Sequence, residues 1–175
     1  AMMGQEAVGY GDELKKMFLL GVGFEAPLVD DTEIEQGRFF TKDEELGLAR
    51  VVALGFGARQ KLFGDSDPVG EYITVKGKKY RVVRVLAERG SASFFNLDDM
   101  IYVPLRTFQK RIIGVDYITF AVAKMRDPSQ SRRTQLDLTQ IMREQHNITT
   151  DDFDKDDFAV NTMDEAADML GNVIN

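Results

Sequence analysis

The sequence has no cysteine, no tryptophan and a single histidine, His146. Without cysteine there is no disulfide scaffold, no thiol nucleophile and no thiolate zinc site. One imidazole is too few for a histidine-built metal centre. The absence of thiols is compatible with an oxidising compartment without fixing one. Basic residues are outnumbered, 22 Lys and Arg against 29 Asp and Glu, for a net charge of −7. That balance argues against nucleic acid as a partner, because duplex binders carry a basic patch. Long apolar runs are missing too. The longest, Met17 to Phe24 and Val51 to Ala58, are about eight residues against the roughly 20 that a membrane helix needs. Residues Ala1 to Tyr10 show neither the basic start nor the apolar centre of a signal peptide.

What is present suits a packed core. The chain has 175 residues, 43% of them apolar, enough for one domain or two small subdomains. Met17 to Phe24 and Val51 to Leu54 read as strands, and Thr32 to Gln36 as a helical turn ending at Gly37. Thr41 with Glu44 three residues on forms a capping box for a short helix. Ala58 to Phe63 reads as a helix stopped by Gly64. Asp67-Pro68-Val69-Gly70 has the residue order of a type I turn. Glu71 to Val75 and Tyr80 to Leu86 alternate as strands around a short polar link containing Gly77, a hairpin pattern.

Further on, Met100 to Val103 and Asp116 to Lys124 read as strands, with a short helix from Pro104 to Ile112 between them. Asp127-Pro128 is a helix start, and the helix is expected to reach His146. Phe158 to Val160 reads as a strand, and Thr162 with Glu165 as a second capping box before Met163, Leu170 and Ile174. These readings give a mixed α+β class, with no internal repeat.

Candidate chemistry is sparse. Gly21-Val22-Gly23-Phe24-Glu25-Ala26 matches a dinucleotide-binding pattern, but Pro27 follows where helical N–H groups are needed. Gly55-Phe56-Gly57 lies between a strand and a helix and lacks the third small residue, since Gln60 takes that place. A small nucleotide-binding enzyme using Gly55 to Gly57 is therefore the alternative reading. The acidic run Asp151 to Asp157 imitates a calcium loop, but Asp157 and Met163 stand where Gly and Glu are required. It reads instead as a solvated loop with Phe153 and Phe158 tucked inward. No nucleophile stands in a recognisable triad motif with His146. No catalytic residue, metal or cofactor is expected. Phe94 and Phe95, adjacent aromatics in a Gly/Ser loop, either close over the core or contact a partner or a neighbouring subdomain.

A series of short segments carries a family resemblance. In order they are Gly37-Arg38-Phe39-Phe40-Thr41, Val51 to Phe63, Asp67-Pro68-Val69-Gly70, the two strands that follow, and Tyr102-Val103-Pro104-Leu105. Arg143 with His146, and Asp157-Phe158-Ala159-Val160, complete the series. Together they resemble the MacB-like periplasmic core domain of ABC transporter permeases of the FtsX-like group. Arg84 departs from the pattern, standing where the family usually has Gly.

The resemblance implies a porter-like α/β subdomain, residues 1–37 and 116–175, with an α+β subdomain, residues 38–115, inserted into it. It further implies a strand-helix unit at the front that this sequence lacks, so that the porter-like half is partial or completed by another molecule. The implied function is non-catalytic: an extracytoplasmic, periplasmic domain coupling cytoplasmic ATP hydrolysis to movement for export or efflux. ATP would be bound by a separate ATPase subunit or domain. The implied partners are permease transmembrane helices, the cytoplasmic ABC ATPase, a periplasmic adaptor or cargo, and a second copy in a dimer.

Overall fold

The computed structural model describes residues 1–29, 34–89, 96–162 and 165–166. Contacts divide the chain into two compact units, Ala1–Lys124 and Met125–Asn175. The expected grouping of residues 1–37 with 116–175 differs from this division. The physical reason is that the first residues are strands of the same sheet as those from the middle of the chain.

In the first unit, β1 (Met2–Tyr10) and β2 (Glu13–Val22) form an antiparallel hairpin across Gly11-Asp12, with Gly11 at φ +58°. Then follow a short helix α1 (Ala26–Val29), β3 (Ile34–Gly37), α2 (Lys42–Leu46), β4 (Val51–Leu54) and α3 (Phe56–Phe63). A second hairpin is made by β5 (Tyr72–Val75) and β6 (Lys78–Leu86). Its two linking residues, Lys76 and Gly77, both have positive φ, 49° and 70°, as the twist of a tight hairpin demands. The unit continues through β7 (Met100–Pro104) and α4 (Leu105–Thr107), which widens into a π-type turn over Phe108–Ile113 and stops at Gly114.

The strand pairs run β3-β6-β4-β7-β2-β1-β5, and β5 also bonds to β6. That last pairing closes six strands, β1-β2-β7-β4-β6-β5, into a ring, with β3 lying on the end of β6. Successive side chains of a strand point to opposite faces, and the core divides accordingly. Val8, Leu19, Val52, Ile73, Val82 and Ile101 belong to a cluster fed by all six ring strands. Leu20, Val51, Ala53, Val83, Met100 and Tyr102 form the second cluster, which Phe40 joins. Phe108 plugs the first cluster. It is fully buried, and a Cβ on Gly21 of β2 would lie 2.7 Å from its ring, so the bare glycine is the seat for that ring.

Three strand or helix expectations fail. Ile34–Gly37 is a strand rather than the end of a helical turn, because its backbone bonds to β6; residues 30–33 lie outside the described residues. Asp116 to Lys124 joins no ladder. The Thr119 and Phe120 N–H groups donate to the Ala1 carbonyl, and Tyr117, Ile118, Phe120 and Val122 stay exposed. Alternation alone makes no strand where no described edge receives it: the ring has already used its own. Phe158 to Val160 likewise pairs with no described strand.

The second unit, taken by itself, begins as read. The Asp127 side chain accepts from the Ser129 N–H at 2.9 Å, and Pro128–Gln130 leads into α5 (Ser131–Gln145). Arg143 is buried and donates to the Asp156 carboxylate and the Thr150 carbonyl. His146 Nδ1 lies 2.7 Å from Asp157, and its ring meets the edge of Phe158. The acidic run is thus engaged by side chains of its own unit, Lys155 pairing with Asp152 as well. Phe153 is exposed rather than tucked inward, lying under the Arg143 guanidinium at 4.5 Å. The Thr162–Glu165 box is formed in both directions, 2.8 and 3.2 Å; Met163, Leu170 and Ile174 lie outside the described residues.

Candidate functional site

The residues singled out in Gly37 to Phe40 and Asp67 to Gly70 meet on one strand. β6 pairs with β5 through Arg81 and with β3 from Arg84 onward, which leaves Val82 and Val83 between the two partners. The two motifs fill that gap. The Gly70 N–H donates to the Val82 carbonyl and the Val82 N–H to Glu71, both at 2.8 Å. From the other side the Arg38 N–H reaches the Val83 carbonyl at 3.4 Å. The strand bulges at this point: its register with β4 shifts between Val52 and Ala53, so Val83 has no partner there. Buried backbone groups must find partners, and here the motifs supply them.

Each motif residue has a separate task. Gly37 takes φ +82°, and a Cβ on it would sit 2.2 Å from the Val83 carbonyl oxygen, so only glycine can approach the bulge. Arg38 grips Glu44 with two hydrogen bonds of 2.7 and 2.6 Å. The same carboxylate accepts from the Thr41 N–H at 2.9 Å and completes the capping box of α2. Arg38 thereby pulls the Glu44 pKa from its ordinary 4.5 to about 2; partial burial opposes the shift and the Thr41 N–H adds to it. Phe40 enters the second core cluster, and Phe39 stacks on it with centroids 4.0 Å apart.

The turn is displaced by one residue from its expected place. The Glu71 N–H donates to the Pro68 carbonyl at 3.0 Å, which closes Pro68 to Glu71 and puts Gly70 third, at φ +94°. Positive φ at the third position is the demand of a type II turn, not type I. The Asp67 carboxylate braces it from outside, accepting from the Val69 N–H at 3.0 Å. An open groove of about 280 Å³ lies between the motifs, lined by Gly37, Arg38, Val69, Gly70 and Arg81 to Val83.

Phe94 and Phe95 lie outside the described residues. The Gly55-Phe56-Gly57 turn can be judged. A Cβ on Gly55 would stand 2.4 Å from the Asp98 carbonyl, and one on Gly57 would stand 2.3 Å from the Asp99 carboxylate. Those glycines make room for the Leu97–Asp99 turn, whose Asp99 pairs with Lys61 of α3 at 2.6 Å. A phosphate brought to this helix start would stand beside the Asp98 carbonyl and the Asp99 carboxylate, both of which repel it. The nucleotide reading loses its site.

The comparisons agree with the motif order. The model of the MacB-like periplasmic core domain matches residues 1–141. The pyoverdine export ATP-binding/permease protein PvdT of Pseudomonas syringae pv. tomato is 30% identical over 149 residues, covering 82% of this chain and 22% of that protein. The macrolide export ATP-binding/permease protein MacB of Chlorobium phaeobacteroides is 24% identical over 169 residues, covering 97% of this chain and 25% of that protein. The chain therefore spans about a quarter or less of the length of these relatives. Among solved structures, the periplasmic region of MacB from Actinobacillus actinomycetemcomitans superposes with a TM-score of 0.79 at 22% identity, over 98% of this chain and 73% of that one. The extracellular domain of the ABC-type transporter YknZ from Gram-positive bacteria gives 0.70 at 20% identity, over 83% of this chain and 73% of that one. At these identities the structural likeness is one of fold, and it agrees with the α+β class.

Two expectations test the geometry. Gly37→Ala meets both a backbone clash and an unfavourable φ, whereas a Cβ on Gly70 has nothing within 4 Å. Gly70→Val should therefore cost roughly 1 kcal/mol, for conformation alone, and Gly37→Ala roughly 3 kcal/mol or more. Urea unfolding that ranks them the other way would displace the proposed role of Gly37. The second expectation concerns acid. A carboxyl whose pKa is depressed in the fold contributes stability that is complete above its unfolded value and is lost as pH falls through the folded one. For Glu44 that window runs from 4.5 down to about 2. Glu44→Gln should lower stability at neutral pH and flatten the acid limb of the stability curve in that window; parallel curves for the two proteins would exclude the Arg38–Glu44 clasp.

Proposed function

The chain belongs to the MacB-like periplasmic core domain family, and from that premise we propose that it is the extracytoplasmic domain of an ABC transporter permease working in export or efflux. The observation that carries the reading is the family match across residues 1–141. Its work is mechanical. ATP is bound and hydrolysed by a separate cytoplasmic ATPase subunit or domain, and this domain converts the resulting helix movement into displacement on the periplasmic face. It sits at the outer face of the bacterial inner membrane, joined to permease helices, as one of two copies in a dimer. A periplasmic adaptor or the cargo is its external partner. The pairing of every ring strand on both edges supports a body that moves as a unit, since a lever must transmit displacement rather than absorb it.

The reading is tested in the full-length permease reconstituted in lipid. The domain contains no cysteine, so Asp65→Cys, at an exposed position, gives one label in each copy of this domain. The distance between labels should change when ATP is added and return when it is exhausted. Identical distance distributions with and without ATP would overturn the coupling role. Phe94 and Phe95 are proposed as the contact of this domain with its partner. Phe94→Ala and Phe95→Ala should then leave the melting of the isolated domain unchanged while transport by the intact protein falls. A loss of several kcal/mol in the isolated domain, the scale of a buried Phe truncation, would make them core residues instead.

A further inference from the structure

Arg84 lies in β6 opposite Gly37 of β3 and Ala53 of β4. It is fully buried. Its three side-chain nitrogens, Nε, Nη1 and Nη2, are buried too, and none has a hydrogen-bond partner among the described residues. The compensation in view is the ring of Phe39, whose centroid is 5.5 Å from the guanidinium carbon. Arg89 acts on the same group with a like charge. Arginine does not solve such a problem by shedding its proton, and a cation–π contact returns far less than desolvation of a full charge takes away. What is missing is an acceptor.

The chemistry of that acceptor follows from the donor. A guanidinium presents N–H groups in a rigid planar fork that matches two oxygens of a carboxylate or phosphate. Phe39, the wall over the fork, is only half-buried and lies in the irregular stretch between β3 and α2, outside any ladder. We propose that Arg84, roofed by Phe39, is a binding site for an oxyanion, held bidentately by the guanidinium. The Gly37 backbone approaches β6 here and the Arg38–Glu44 clasp spans the roofing segment; the proposal requires the Phe39 ring to turn aside from Arg84 and from Phe40. The site is a property of this domain alone and does not depend on the transport reading.

Thermal unfolding of the whole 175-residue chain, titrated with sodium acetate and separately with inorganic phosphate at ionic strength balanced by sodium chloride, tests it. Anion bound to the folded form should raise the melting temperature by about 3 °C or more for each tenfold increase beyond its dissociation constant. Arg84→Met, which keeps the length and removes the charge, should lose at least nine-tenths of that response. A response to one salt alone identifies carboxylate or phosphate as the ligand class. Equal responses of the two proteins, or no response to either salt, overturn the proposal. Should Arg84→Met fail to fold, the arginine Nε–H spectrum of the unsubstituted protein decides: a saturable shift of a buried resonance supports the site, and its absence overturns it.

Discussion

Everything in the first unit depends on β5. It is only four residues long, yet it bonds to β1 on one side and to β6 on the other. Without the contacts of Val8 with Val75 and Gly9 with Thr74, the strands would form an open sheet with two bare edges. Open edges invite pairing with other chains. With those contacts, one face of every ring strand turns into a shared interior, and short strands from distant parts of the sequence stabilise one another. Closure also explains why the first ten residues cannot be set apart from the middle of the chain: β1 is the strand that receives β5.

Closure leaves one weak place, and the sequence motifs gather there. β6 needs three neighbours, β4 along one edge and β5 and β3 in succession along the other. The handover at Val82 and Val83 would leave backbone groups unpaired in a buried strand. The turn at Pro68 to Glu71 and the crossing at Gly37-Arg38 supply the partners. Arg38 then ties the crossing to the start of α2 through Glu44. Each of these residues has a backbone or packing task. Their identity is set by the bulge they repair, and this gives a physical reason why they read as a signature without reading as an active site.

That distinction marks what was legible in the sequence. Local devices were readable because their chemistry is local: the Thr41–Glu44 box, the Asp127-Pro128 start, the hairpin before β6 and the glycine stop at Gly64 all stand where the residues put them. The strand β1 was missed because its alternation is diluted by Gly4, Gln5, Glu6 and Gly9, leaving Met2 and Val8 as its buried apolar residues. Gly11-Asp12 was the available signal, a two-residue hairpin link between runs of strand length. Asp116 to Lys124 failed in the opposite way. Its alternation is strong, but a strand exists only beside another strand, and periodicity says nothing about whether a free edge is near. The ion pair of Arg143 with Asp156 and the contact of His146 with Asp157 lie between those extremes. Both halves were visible as separate segments, and only the fold shows that one grips the other.

Arg84 breaks the rule of local consistency most sharply. The end of β6 otherwise obeys the demands of a buried strand: the side chains of Val82, Val83, Val85 and Leu86 fill space and ask for nothing. In the midst of them stands a charge with no acceptor among the described residues. Removing one member of a buried ion pair is costly because it strands the other, and Arg84 is already in that condition. Natural sequences break such rules chiefly where function requires it. The position of the exception sharpens the point. It faces the segment anchored by Gly37 and Arg38, so the repair of the bulge and the housing of the charge fall to the same few residues. Any group that engages Arg84 would displace Phe39 and act directly on the segment that seals the sheet, which gives this edge a route by which binding could alter the stiffness of a domain whose proposed work is to transmit movement.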